Sequence, residues 1–321
     1  MLYQQIARNK RKTAFLLVIF VIILSLVGGG LGYLINGEPF SGIAIALIGS
    51  LIYLFIILQN PGNLVMSMNH GREIHEEDDP ELWHIVEDMA LAGQVPMPRV
   101  FIIDDPSPNA FATGRDPKHS YVAVTTGLRE RLNRSELEGV LGHEISHIRN
   151  YDILISTIGV ALAAVISFIS NFASRIWWWG GNSDRDDRDS SPLEAIFKVV
   201  AIVFTLILGP LAAGLAQMAL SRNREYLADA GSVELTRNPQ GLISALEKIS
   251  NSEPMKDPDP SSAGLYIENP LHNRGLSSLF DTHPPTADRI KRLKNRYIKR
   301  DALASLFLRK VKHNRVFDFI F

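Results

Sequence analysis

Apolar residues follow two patterns along this chain. In four stretches, Thr13–Ile35, Phe40–Leu58, Ile153–Ser174 and Val199–Ser221, no charged residue interrupts the run. Each has roughly the 20 residues needed to cross a bilayer as a helix. Runs this long without charge are more often membrane helices than core helices. The third is richer in small and polar residues, and predicts either a helix packed against the others or one entering only partway. The first follows "RNKRK", but lacks a small-residue cleavage site and leads at once into a second apolar run, so it reads as a retained anchor.

Elsewhere the pattern is that of a folded unit. "DDPELWHIVEDMALAG" predicts a helix capped by Asp79, with Pro80 at its first position and Leu82, Ile85, Val86 and Met89 on one face. "PRVFIID" and "SYVAVTTG" read as strands, with "NAFATG" a third, shorter one between them. "RSELEGVLGHEISH" predicts a helix opened by a capping box from Ser135 to Glu138. Leu137, Val140, Leu141, Ile145 and Ile148 form its apolar arc, with His143, Glu144 and His147 along or within the edge of that arc. Past the fourth apolar run, "RNREYLADAGSVELTRNPQGLISALEKIS" reads as two helices, residues 251–285 as a long loop, and "TADRIKRLKNRYIKRDAL" as a basic terminal helix.

Four parts follow: 1–60, a membrane hairpin; 61–152, a first cytoplasmic part; 153–221, a second membrane hairpin; and 222–321, a second cytoplasmic part. Arg8, Lys10, Arg11 and Lys12 precede the first run, while "NGEP" carries no Lys or Arg, and Arg149, Arg222 and Arg224 flank the later pair. Basic flanks stay inside, so both termini and both polar parts are expected on the cytoplasmic face. "IWWW" (Ile176–Trp179) falls where an aromatic belt would, on the far face.

Composition narrows the chemistry. Among 321 residues there is no cysteine, which excludes disulfides, thiol nucleophiles and thiolate-bound metals. The net charge of −1 gives no electrostatic case for nucleic acid. What remains is "HEISH". Four helical residues advance about 40° in rotation and one turn in rise, so His143 and His147 can aim at one point about 2.0–2.1 Å from each, as zinc requires. Glu144 then lies beside that point as a base rather than as a ligand. This is the spacing that hydrolysis by a metal-activated water needs. The bland reading is a pair of surface histidines on an amphipathic helix.

A catalytic zinc takes three protein ligands and leaves one position open. In "NREYLAD", Glu225 and Asp229 share a helix face, so Glu225 can reach the metal while Asp229 accepts a hydrogen bond from a ligand imidazole. Seen alone, the two would be a surface pair beside Arg222 and Arg224. His283 in "THPP" is either a loop imidazole capping the helix near Thr286 or a site donor. "NAFATG" alone would most often be just a strand.

Taken together, the N-terminal hairpin, "NAFATG", "HEISH", the second hairpin, "SRNREYLAD" and "THPPTADRI" resemble the HtpX-type membrane zinc metalloproteases, relatives of the CAAX prenyl endopeptidases. The resemblance covers nearly the whole chain. It implies a multi-pass α-helical membrane protein with a cytoplasmic zincin-like (gluzincin) α+β domain and one zinc ion per chain. By the same resemblance His143, His147 and Glu225 are ligands, Glu144 is the general base, and Asp229 orients an imidazole. His283 stabilises the oxyanion, and Asn109, Ala110, Phe111 and Ala112 form an edge along which substrate lies. The implied activity is cleavage of misfolded or damaged membrane proteins at the cytoplasmic (inner) membrane, with peptide substrates and the lipid bilayer as partners. Two alternatives stand beside it. A protease with its motif inside the bilayer fits poorly with the charged flanks "RSELEG" and "RNYD". A non-enzymatic metal-binding adaptor would need a fourth protein ligand to close a structural zinc site.

Overall fold

The computed structural model describes residues 2–180, 221–270 and 284–295, with side chains described only from Ala7 to Tyr33, from Asn36 to Phe168 and from Ser221 onward within those ranges. The chain opens with two long helices, α1 (Leu2–Asn36) and α2 (Pro39–Gln59), turned at Gly37, whose φ of 74° suits a residue without Cβ. Ala7–Tyr33 and Pro39–Gln59 are each long and apolar enough to cross a membrane. Their backbones touch: a methyl group at Gly42 would collide with the Gly28 carbonyl. Small residues permit such close approach where hydrophobic driving force between helices is weak. Of the fourth apolar run, Val199–Ser221, only Ser221 is among the described residues.

A short helix α3 (Pro61–Met68) leads into the folded unit: β1 (Arg72–Ile74), α4 (Pro80–Gly93), β2 (Arg99–Ile103), β3 (Ala110–Asp116), β4 (His119–Thr125), α5 (Thr126–Arg131) and α6 (Arg134–Arg149). The chain continues through α7 (Asp152–Gly180), α8 (Arg222–Thr236), α9 (Pro239–Ser250), a 3-10 turn Ala263–Leu265 and α10, residues 286–295. The sheet has the order β1-β2-β4-β3, with β2 and β4 parallel and the outer pairs antiparallel. β3 is an edge strand. It is seven residues long, as is β4, and so not the shorter strand expected, because its pairing continues past Gly114 to Asp116. β1, which the sequence pattern did not flag, is only three residues long, too short for alternation to register.

Side chains alternate across the sheet, and both faces are buried. Val100, Ala110, Ala112, Val122 and Val124 face a core shared with α4, α6 and α9, through Leu82, Ile85, Val86, Leu141, Ile145, Leu242 and Ile243. Phe101, Phe111, Tyr121 and Ala123 face a second cluster with Val65, Met66, Met255 and Tyr266. Burial on both faces explains the near-continuous apolar reading of these strands. Leu16, Phe20 and Leu24 of α1 pack with Ile155, Ile158, Leu162 and Ile166 of α7, and the Tyr53 hydroxyl of α2 donates to the Ala161 carbonyl at 2.9 Å.

The α6 cap differs from expectation. Asn133 is the N-cap: its side chain accepts from the Glu136 N–H at 3.0 Å, and Glu136 reaches back to the Asn133 N–H at 2.9 Å. Tertiary partners explain the shift. Glu136 also accepts from Ser244 at 2.6 Å and pairs with Lys248 at 2.7 Å, both on α9, whereas Ser135 accepts from Asn238 and Glu138 pairs with Arg134. After α6 the chain turns by 87° into α7 through Tyr151, which adopts φ of 58°. That bend brings Asp152 under the last turn of α6.

Candidate metal centre and active site

α6 runs between β3 and the pair α8 and α9, so its middle turns are enclosed on nearly every side. His143 and Glu144 are buried, and His147 is largely so. α8 approaches α6 through small residues. The Ser232 hydroxyl donates to the Gly139 carbonyl at 2.6 Å, and a Cβ on Gly231 would lie 2.8 Å from that of Ser146. This contact sets Glu225, in the first turn of α8, opposite the two histidines.

The donor atoms converge. The Nε2 atoms of His143 and His147 are 3.2 Å apart, and Glu225 presents Oε2 at 3.5 Å from the first and Oε1 at 3.5 Å from the second. One ligand atom from each residue lies within 4.8 Å of the others. Behind each imidazole stands a carboxylate: Asp229 Oδ1 is 3.0 Å from His143 Nδ1, and Asp152 Oδ2 is 3.3 Å from His147 Nδ1. An Nδ1–H given to a carboxylate leaves the Nε2 lone pair directed inward, which is the tautomer a metal ligand needs.

Electrostatics point the same way. Burial pushes the His143 imidazole down, but Asp229 and Glu225 outweigh it and hold it above its ordinary value. Burial likewise opposes protonation of His147, yet Glu225 and Asp152 bring it up to about 10. Lone pairs that hold a proton this firmly suit a divalent cation. The fit to a metal therefore rests on three convergent donors, two imidazoles backed by carboxylates and surplus negative charge. Burial would raise the Asp229 carboxyl, but Arg289 and His143 reverse this and bring it down to about 2. Glu144 is the opposite case: burial pushes its carboxyl up, although a backbone hydrogen bond from Ala112 favours the charged form.

His143, Glu144, His147, Glu225 and Asp229 are thus brought together; His283 lies outside the described residues. Asn109, Ala110, Phe111 and Ala112 are all buried, and of these Ala112 lines the small cavity beside the two histidines, Glu144 and Glu225. Two residues escaped the sequence reading. Asp152 follows His147 by five positions, a separation no straight helix would use. Arg289, fully buried, donates to Asp229 from Nη2 at 2.6 Å and from Nε at 3.1 Å. Its only sequence signal was a charged residue inside "TADRI".

Residues 76–297 match the model of peptidase family M48. A protein called Protease HtpX homolog from Lactobacillus acidophilus is 73% identical over 297 residues, covering 92% of this chain and 100% of its own length. Relatives of the same description from Lactobacillus helveticus and Ligilactobacillus salivarius are 74% and 59% identical, each over 295 residues, covering 91% and 92% of this chain and 99% and 100% of their own. Among solved structures, the crystal structure of S. mikatae Ste24p aligns with 90% of this chain and 66% of its own, at 20% identity and a TM-score of 0.45. The family match spans both metal-facing helices, α6 and α8, and on that ground the chain belongs to peptidase family M48, as a metalloprotease of the HtpX type.

Proposed function

We propose that this protein is a zinc-dependent endopeptidase of the cytoplasmic membrane that hydrolyses peptide bonds of misfolded or damaged membrane proteins. The supporting observation is the convergence of the His143 and His147 Nε2 atoms with the Glu225 carboxylate beside buried Glu144. Three nitrogen and oxygen donors with no sulfur match a hydrolytic zinc site, which keeps a further position open. When bound, zinc supplies a Lewis acid that polarises the scissile carbonyl and lowers the pKa of water to about 7.

Glu144 takes the proton of the attacking water and passes it to the leaving amine nitrogen. Burial has raised its proton affinity, which moves it toward the range where a general base works best near neutral pH. Asp229 and Asp152 keep the two imidazoles facing inward. His283 is assigned to the negative charge that grows on the carbonyl oxygen, which a preorganised donor stabilises. An extended substrate lies along Asn109–Ala112 at the edge of β3, held through its backbone. We place this zincin-like, gluzincin-type unit in a multi-pass protein, its site and both termini cytoplasmic. Polar parts 61–152 and 222–321 then form one domain around hairpin 153–221, close to where substrate segments leave the bilayer.

Zinc analysis of the purified full chain, run beside a proteolysis assay, tests this reading. Wild type and Glu144→Gln should each carry one zinc per chain, while the variant's cleavage falls by roughly 10²–10⁴-fold, the usual contribution of a general base. Equal cleavage by the two proteins would remove Glu144 from the chemistry.

A further inference from the structure

The edge of β3 is already taken. The Ile267 N–H donates to the Ala110 carbonyl at 2.9 Å, the bond an added strand would make there. Asn109 grips the next residue with both ends of its amide, Nδ2 donating to the Glu268 carbonyl at 2.9 Å and Oδ1 accepting from the Glu268 N–H at 3.3 Å. Farther along, the Gly114 N–H donates to Thr157 Oγ1 at 2.9 Å. The Tyr266 ring meets Phe111 edge-on at 4.8 Å. Gly264, Leu265 and Ile267 close over His143, Glu144, His147 and Glu225, leaving a cavity of about 20 Å³. That holds roughly one water, and no peptide.

We propose that Ser262–Glu268 is a strap that occupies the peptide edge at rest, and that an extended polypeptide binds by displacing it. This rests on the protease reading above. The strap is bound as a substrate would be, through main-chain groups, so its replacement needs an unfolded backbone more than any particular side chain. A folded loop or helix offers no such row of free backbone groups, which makes unstructured polypeptide the substrate class. Besides the Asn109 amide and the Thr286 hydroxyl on Glu268, two further fasteners hold the strap. One lies away from the metal cluster: Asn69 Oδ1 accepts from the Ser262 hydroxyl at 2.7 Å and from the Tyr266 hydroxyl at 3.0 Å. The other is Arg289, whose Nη1 donates to the Ile267 carbonyl at 3.0 Å while its other nitrogens hold Asp229, the partner of His143. Strap position and imidazole orientation therefore share one guanidinium.

The remote fastener gives a test that leaves the metal cluster intact. Ser262→Ala and Tyr266→Phe each remove one hydroxyl, and the second keeps the aromatic contact with Phe111. A hydrogen bond of this kind is worth roughly two- to tenfold in an equilibrium. Each variant should therefore raise kcat/KM on a quenched fluorogenic peptide by about that factor, and the double variant by about the product. Zinc content should be unchanged. Unaltered kcat/KM, or a fall with raised KM, overturns the proposal, since the segment would then be a wall of the binding site. Amide exchange on zinc-loaded Glu144→Gln protein supplies a readout independent of cleavage. A peptide hydroxamate should speed exchange at Ile267 and Glu268 while the β3–β4 pairs stay protected; unchanged or slower exchange also overturns it. If no variant shows chelator-sensitive cleavage, the protease reading fails, and the exchange result still decides the strap.

Discussion

Asp152 serves two helices at once. Its Oδ2 faces His147 Nδ1 at 3.3 Å, and its Oδ1 accepts from Asn9 of α1 at 2.9 Å, with both Asn9 and Asp152 buried. An imidazole held from behind loses less freedom on binding metal and is a more basic ligand. Asp152→Ala should therefore weaken zinc binding by roughly 10–100-fold, as removal of such partners usually does, measurable by competition with a chromophoric chelator. Equal affinity would show that the turn after α6 fixes His147 without help. Of the residues around the cluster, five were legible in the sequence: His143 with His147 and Glu225 with Asp229, because each pair sits at a spacing that one helix turns into a shared face, and Glu144 as the neighbour of His143. Asp152 and Arg289 were not. Their contacts depend on an 87° bend and on a helix packed from elsewhere in the chain, neither of which leaves a period in the residue pattern.

Between elements, the site depends on how closely α6 is approached. A Cβ on Gly139 would lie 2.6 Å from the Leu242 nitrogen and 2.8 Å from its Cα, both backbone atoms of α9. Backbone cannot swing aside as a flexible side chain can, so Gly139→Ala must push α6 and α9 apart. Overpacking of this sort costs about 1–3 kcal/mol. Gly139→Ala should lower the melting temperature in detergent and also weaken zinc binding, since α6 carries two of the three candidate ligands. A variant with unchanged melting and zinc affinity would show that the crossing is looser than the atoms place it. Helices α4, α6, α8 and α9 were all foreseeable from their periodicity, and α4 from its cap as well, since the Asp79 side chain accepts from the Leu82 N–H. The α6 cap itself was misplaced by two residues, because Glu136 is recruited by Lys248 and Ser244 of α9, and local sequence does not record which acid a distant helix will claim.

At the scale of the molecule, the three candidate ligands come from parts of the chain far apart in sequence. His143 and His147 lie before α7, and Glu225 lies in the first turn of α8, beyond residues 181–220. A metal that binds only when these parts are assembled stabilises the assembly by mass action, about 2.7 kcal/mol at a free concentration one hundred times Kd. Chelation should accordingly lower the thermal midpoint of the full chain, and added zinc should restore both the midpoint and the cleavage. An unchanged midpoint after verified metal loss would mean that α6 and α8 are held together without it. The covering of the sheet fits this view, for Arg289 ties α10, α8 and the strap to a single buried point.

Local chemistry decided what the sequence alone could state: uncharged runs of membrane length, short apolar strands, amphipathic helices, and imidazoles one turn apart on a face already apolar. Each of these is a property of consecutive residues under a fixed period. The tertiary structure decided everything requiring two distant segments at one place. It set Glu225 opposite the histidines, put Asp152 and Arg289 behind them, chose Asn133 as the α6 cap, and laid Ile267 on the edge of β3. Those choices follow from packing and charge pairing among elements, and such pairings carry no signature along the chain until the chain has folded.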